Sequence, residues 1–173
     1  DGGEELRAGL VVSAINPRVT FQALVGAASL DAGFYKRVGN IRSRGGAAKL
    51  HLALKGAPEF GADLRSRLVI AASHHAVEAA FNPVKYGEVP EAPVMEVVVP
   101  SAHEGGFAPE GGHVLSAIVQ FAPHAPKAGQ EAAREAMLEA ALAVLEAQAP
   151  GLRGLVVAAE MLMPYDIEAR FGM

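Results

Sequence analysis

The chain has 173 residues, of which 51% are hydrophobic and 20% charged, a globular composition that supports one sizeable core and is far from that of a disordered chain. Its formal net charge of −4 argues against a nucleic-acid partner, because binding to phosphates needs a clustered basic surface. It contains no cysteine, which excludes a disulfide framework, a thiolate nucleophile and a cysteine-bound metal. No apolar run approaches the roughly 18 residues of a membrane-spanning helix, so we expect a soluble protein.

The first predicted strand lies close to the start of the chain. Leu10–Ile15 is a continuous apolar run, the pattern of a strand that is buried on both faces. Asn16-Pro17 ends the run, because proline cannot donate to a strand ladder and disfavours helix at the residue before it. Val19–Val25 is then predicted to be a short helix, and Ser29–Asp31 offers the cap of a second helix that reaches about Val38.

A strand with two unlike faces follows a break at residues 41–46. In Ala47–Leu54, every second residue is alanine or leucine on one face, while Lys49 and His51 lie on the other. Arg42 and Arg44 stand just upstream. The polar side is either a cationic wall that faces a ligand or an exposed strand face that has no ligand.

The centre of the chain is predicted to form two neighbouring strands of one sheet. Val94–Val99 and His113–Phe121 are short apolar runs rich in β-branched residues, separated by a segment rich in glycine and proline. They follow a strand-like run over Arg67–Ser73 and a short helix over His74–Phe81, which is expected to end at Asn82-Pro83.

A long helix and a last strand complete the predicted domain. Gly129–Gln148 carries one apolar stripe at helical spacing and is stopped by Pro150-Gly151. Leu155–Leu162 is predicted to be a strand, with a final helix that begins at Pro164. The sequence therefore predicts an α+β fold, with a mostly antiparallel or mixed sheet of about five to six strands covered by helices.

The histidines and one serine suggest two kinds of site, a metal site and a hydrolytic site. His74 and His75 are adjacent, so on a helix they point about 100° apart and cannot form the i, i+4 pair of a helical zinc site. His103 and His113 would share a metal only if the fold brought them together. Ser101–Glu104 contains the residue types of a Ser/His/acid triad but no G-x-S-x-G turn. We therefore favour neither a metal site nor a hydrolytic site.

The glycine-rich connection Glu104–Gly112 does not resemble a nucleotide-binding loop. It matches neither G-x-G-x-x-G nor G-x-x-x-x-G-K-[ST], so it is predicted to be a wide turn. Both ends of the chain are typical either of a piece of a longer protein or of a trimmed domain.

Four segments resemble the phytoene desaturase-related FAD-dependent oxidoreductases in order and spacing. They are LVVSAINPRVTFQALVG, LDAGFYKRVGNIRSRGGAAKLHLALKGAPEF, FNPVKYGEVPEAPVMEVVVPSAHEGGFAPEGGHVLSAIVQFAP and YDIEARFG. Together they extend over nearly the whole chain, and the resemblance is strongest to a branch that has mitochondrial members. It implies the internal substrate domain of a flavoprotein, of the kind seen in FAD-linked amine oxidase and phytoene desaturase-like folds, without the FAD-binding ends.

On this resemblance, residues 1–17 are a remnant strand and linker from the FAD domain. Residues 18–163 are the substrate-binding domain, and residues 164–173 begin the return towards the FAD domain. Asn16 and Pro17 are the implied cofactor-binding residues, although Asn16 stands where relatives have an acidic residue. FAD is expected in the full-length protein and is not expected to bind tightly to this chain alone.

The implied function is substrate binding in an FAD-dependent oxidoreductase, in which a largely apolar substrate gives a hydride to flavin. The expected partners are the missing FAD-binding segments of the same protein and an apolar small molecule, and the chain could also form a homo-oligomer. The expected location is the cytoplasm or the mitochondrial matrix. The candidate substrate-facing residues are Lys49, His51, Ser101, His103 and His113. No catalytic acid or base and no metal ligand is predicted. The alternative is a stand-alone, non-catalytic module, derived from that domain, that binds a ligand or a protein.

Overall fold

The computed structural model describes Gly3 and residues 5–42 and 46–172, which fall into two compact units, one within residues 1–44 and one within residues 45–172. The first unit contains a helical segment over Val19–Val25, a 3-10 turn over Ala27–Ser29 and helix α1 (Ala32–Gly39). Asp31 begins α1, because its side chain accepts the backbone N–H of Phe34. Both helices predicted for this part of the chain are confirmed.

Residues 10–15 do not form the predicted strand. Leu10, Val11 and Val12 are 81%, 82% and 85% exposed, and no strand within the described ranges pairs with them. A β-strand is held by hydrogen bonds to a neighbour, so an apolar, β-branched composition cannot produce one alone. The prediction of a buried strand is therefore wrong for the chain as the structure describes it.

The second unit is built on a five-stranded sheet in the order β2-β3-β4-β1-β5, with every pairing antiparallel. The strands are β1 (Ala47–Leu54), β2 (Leu68–Ile70), β3 (Val94–Val98), β4 (His113–Gln120) and β5 (Val156–Leu162). The predicted α+β class and the adjacency of the two central strands are confirmed. The predicted break before β1 includes residues 43–45 and thus Arg44, which lie outside the described residues.

The helices of the second unit are α2 (His74–Val84), α3 (Gln130–Gln148), α4 (Leu152–Leu155) and α5 (Pro164–Phe171). α3 lies within one residue of its predicted range, α5 begins at the predicted Pro164, and the short helix α4 was not predicted. α2 runs three residues past its predicted end, since a proline at the penultimate position removes only one hydrogen bond of a helix that is already ending. None of the helices described is long and apolar enough to span a membrane.

β2, β3, β4 and β5 are all shorter than the sequence predicts, and β3 and β4 each lack only the last predicted residue. Only Leu68–Ile70 of the predicted run Arg67–Ser73 pairs with β3, at the edge of the sheet. Leu155 belongs to the short helix α4, so that β5 begins at Val156. In both places the apolar composition extends beyond the residues that have a neighbouring strand.

One face of the sheet forms the core with α3. Leu50 and Leu52 of β1 and Leu115 of β4 lie in the same buried cluster as Met137 and Leu145 of α3. Burying each such side chain stabilises the fold by about 1.5–3 kcal/mol before the cost of ordering it is counted. The apolar stripe predicted for the long helix is the surface that packs on the sheet.

The opposite face of the sheet is only partly covered, and we call it the second face. It is formed by the residues that alternate with the core positions. On β1 these include Lys49 and His51, both half-buried, and Ala53, which is exposed. The alternation predicted for β1 is confirmed along the whole strand.

We predict that Gly46→Ala destabilises the second unit by roughly 2–3 kcal/mol. The backbone N–H of Ala122 donates to the Gly46 carbonyl at 2.9 Å, and a Cβ on Gly46 would overlap the carbonyl oxygen of Ala122 and lie 3.0 Å from Pro164 Cγ. Because the obstacle is backbone, it cannot rotate away. Urea unfolding monitored by circular dichroism measures the change.

Gly105→Ala is the matched control for this substitution. A Cβ on Gly105 meets no atom within 4 Å, so its unfolding free energy should change by less than about 0.5 kcal/mol. Equal stability of the two variants would contradict the close approach at Gly46.

Candidate functional site

The register of the sheet places a lysine and a histidine at the centre of the second face. Lys49 lies between Ile118 of β4 and Leu162 of β5, and His51 lies between Ser116 and Glu160 on the same two strands. Residues two apart on one strand share a face and are separated by roughly 7 Å. Lys49 and His51 are therefore near enough to contact one small ligand together.

The acidic residues of the second face are already paired with arginines. Glu160 accepts from Arg170 of α5 at 3.2 Å, and Glu96 of β3 accepts from Arg67 at 3.1 Å. Among the residues that the structure describes, Lys49 has no carboxylate within ion-pair distance. The centre of the face therefore carries a positive charge that no described side chain compensates.

Burial and neighbouring charges shift the pKa values of both groups. Burial lowers the pKa of Lys49, because partial removal from water disfavours the ammonium. Burial also lowers the pKa of His51, the positive charge of Lys49 lowers it further, and the carboxylate of Glu160 acts in the opposite direction. The neutral imidazole is thus favoured at neutral pH, next to a cationic Lys49.

Ser101 and His113 form a second polar cluster at the start of β4. Ser101 lies in the 3-10 turn Pro100–Ala102, and its Oγ accepts the backbone N–H of Val114 at 3.1 Å. The same Oγ lies 3.0 Å from Nδ1 of His113. The hydroxyl either donates its proton to Nδ1 or accepts a second hydrogen bond from Nδ1–H, according to the tautomer of His113. The pair attaches the loop to the strand.

The structure separates the five sequence candidates into three places. Lys49 and His51 lie together on the second face, Ser101 and His113 are hydrogen-bonded to each other, and His103 is exposed beyond the turn. The serine of the Ser101–Glu104 stretch thus bonds His113 rather than His103, and no described carboxylate hydrogen-bonds to His113. Within the described ranges, no three side chains of metal-ligand type converge on one point.

Asn16 and Pro17 begin the helical segment of the first unit. Oδ1 of Asn16 accepts the backbone N–H of Arg18 at 2.8 Å, and the Asn16 carbonyl accepts the N–H of Thr20 at 2.9 Å. Pro17 has no N–H to donate. The side-chain and main-chain oxygens of Asn16 are therefore both used to start the helix.

Two polar residues of the second face, and an arginine of α5 that pairs with one of them, were not found from the sequence. Ser116 and Glu160 flank His51, and Arg170 neutralises Glu160. Alternation along β4 and β5 offers a signal for their shared face, but only the strand register shows that they meet His51.

An open cleft of about 410 Å³ also lies beside the β2 edge, lined mostly by small apolar residues that include Ala76, Pro93 and Ala147.

We predict that His51 titrates below its usual pKa of about 6.5. Lys49→Met should raise its pKa, because the substitution removes a neighbouring positive charge. Glu160→Gln should lower it further, because the substitution removes the carboxylate that stabilises the imidazolium. A proton–carbon NMR titration of the His51 ring measures all three midpoints.

Lys85→Met, at the residue that follows α2, is the matched control for the charge change, because Lys85 is not among the charges that shift the pKa of His51. It removes one positive charge from the C-terminal end of α2 and should leave the His51 midpoint where it is. A lower His51 pKa in Lys49→Met, or a higher one in Glu160→Gln, would contradict the arrangement of charges around His51.

We predict that Ser101→Ala lowers the free energy of unfolding by about 1–2 kcal/mol, because the Val114 N–H loses its acceptor. Ser66→Ala at an exposed position should change it by less than about 0.5 kcal/mol. Urea unfolding compares the two variants. Equal stabilities would show that the Ser101 hydroxyl does not hold the loop.

The chain is similar to known proteins over nearly its whole length, although no protein-family model matches it. It is 28% identical over 187 residues to pyridine nucleotide-disulfide oxidoreductase domain-containing protein 2 of Rattus norvegicus, in an alignment of 99% of this chain and 32% of the relative. The Mus musculus protein of the same name is 28% identical over 184 residues, which are 98% of this chain and 32% of the relative. This is the branch to which the sequence resemblance points. The chain is a distant homologue of these proteins and spans about a third of their length.

Proposed function

We propose that this chain is the substrate-binding domain of an FAD-dependent oxidoreductase, in which a largely apolar substrate gives a hydride to flavin. The observation that carries the proposal is the homology to proteins whose name includes an oxidoreductase domain, over 98–99% of the chain and 32% of the relatives. The rest of the relatives' length leaves room for an FAD-binding part. The proposed link to phytoene desaturases rests on the sequence segments alone.

The described residues of this chain do not fit FAD by themselves. Dinucleotides bind beside a glycine-rich turn at the carboxyl ends of parallel strands, whereas all pairings of this sheet are antiparallel. Asn16 uses its side-chain oxygen to start a helix, and Pro17 has no N–H. We therefore assign the cofactor to the remaining part of a longer protein, and we assign no step of hydride transfer to residues of this chain.

The second face supports the proposed role in substrate binding. Ile118 and Leu162 offer apolar surface on both sides of Lys49, and Ile118 is 38% exposed. A ligand that lies on this surface would exclude water from the reacting part of the substrate. Binding sites of this kind combine apolar surface with a few polar groups that fix orientation, which Lys49 and His51 would provide.

The other sequence candidates receive different proposed roles. Ser101 and His113 would position the loop that follows β3, because their hydrogen bonds are made to each other and to the Val114 amide. His103 is exposed on that loop and is the member able to reach a ligand. His113 pairs with Leu54, a core position of β1, so this cluster does not share the second face with Lys49 and His51.

The exposed run over residues 10–15 supports the proposed domain boundaries. An apolar, β-branched segment that lacks a neighbour here is suited to pair with strands of another domain. We propose that residues 1–17 belong to the FAD domain of the longer protein, that residues 18–163 bind the substrate, and that residues 164–173 lead back.

The proposal is tested by two flavin measurements. The product of the complete reading frame is expected to retain flavin after purification, with its visible absorbance bleached anaerobically by an apolar electron donor. The 173-residue chain titrated with FAD is expected to show no saturable binding by calorimetry. A complete product that binds no flavin even after reconstitution would overturn the proposal and favour the non-catalytic binding module.

A further inference from the structure

We infer that the second face binds an amphipathic acid, with the anionic headgroup at Lys49 and the apolar body on the neighbouring strands. The inference deepens the proposed function by giving a substrate class, and it rests on that function for the statement that the ligand is a substrate. It is carried by the placement of Lys49 between Ile118 and Leu162.

The charge distribution of the face selects an anion. Glu96 and Glu160 already form ion pairs with Arg67 and Arg170, whereas no described carboxylate lies within ion-pair distance of Lys49. A half-buried ammonium has lost part of its hydration, and an anionic group restores part of the lost interaction. A cationic ligand would meet the same ammonium, and the two glutamates described on this face, Glu96 and Glu160, already form ion pairs.

The neighbours of Lys49 select a ligand that is apolar beyond its headgroup. Ile118 is partly exposed, and Leu162 is half-buried on the opposite side of the lysine. The headgroup itself has a second contact available, because His51 lies two residues along the same strand and Ser116 lies opposite it. A carboxylate can accept from the Lys49 ammonium with one oxygen and from the N–H of a neutral His51 with the other.

The inference is tested with decanoate and decanol, which share the length of an apolar chain and differ in charge. Calorimetry on the 173-residue chain at neutral pH is expected to give about tenfold tighter binding of decanoate, the difference that a charge-assisted hydrogen bond supplies. Lys49→Met, which keeps the side-chain length without the charge, should bring the two affinities together. Lys49→Arg should retain the preference, and Lys85→Met, just after α2, is the control that should also retain it.

An NMR measurement on the unsubstituted chain avoids reliance on a variant that fails to fold. The side-chain signals of Lys49 should shift saturably with decanoate and remain in place with decanol. Equal affinities of the two ligands, an undiminished preference in a folded Lys49→Met variant, or no binding of decanoate would each overturn the inference.

The failure of this inference can be distinguished from failure of the proposed function. The decanoate experiment needs no flavin, and the flavin experiment needs no acidic ligand. Flavin in the complete product without decanoate binding would leave the oxidoreductase proposal in place and remove the acidic substrate class. Decanoate binding with no flavin in the complete product would leave the acidic ligand class in place and remove the oxidoreductase proposal.

Discussion

The alternation of side chains along β1 is the constraint on which the rest of the second unit depends. β1 pairs with β4 on one side and with β5 on the other, so its buried leucines lie in the middle of the core face of the sheet. A shift of one residue would place Lys49 and His51 against α3 and expose the leucines. The burial of a lysine without a partner would cost far more than the sheet could offset, so the fold and the position of the two polar groups are specified together.

The spacing of apolar residues and the composition were sufficient to predict those helices and strands that have one apolar and one polar face. β1 and α3 are the clearest cases, because each has an apolar face at the spacing of its own structure. The N-cap of α1 at Asp31 is local in the same sense. By contrast, Leu10–Ile15 has the composition of a strand, but a strand also needs a neighbour, and the sequence of the run carries no information about that neighbour.

Only the part of the candidate site that lies on a single strand could be predicted from the sequence. Lys49 and His51 follow from the pattern of β1, but the flanking residues Ser116 and Glu160 depend on register, which includes an irregularity between Ala53 and Leu54 in the pairing with β5. The Ser101–His113 contact has the same origin, since it joins a turn and a strand that are 12 residues apart. Sequence reasoning named both residues and did not foresee that they bond to each other.

Helix α5 connects the core to the charge balance of the second face. At its start, Asp166 accepts from Arg134 of α3, and the hydroxyl of Tyr165 donates to the carbonyl of Gln130. At its other end, Arg170 holds Glu160, whose carboxylate raises the pKa of His51. One short helix thus holds groups on both sides of the sheet: a substitution that shifts the start of α5, at Asp166 or Tyr165, would also displace Arg170, the cation that pairs with Glu160 opposite His51.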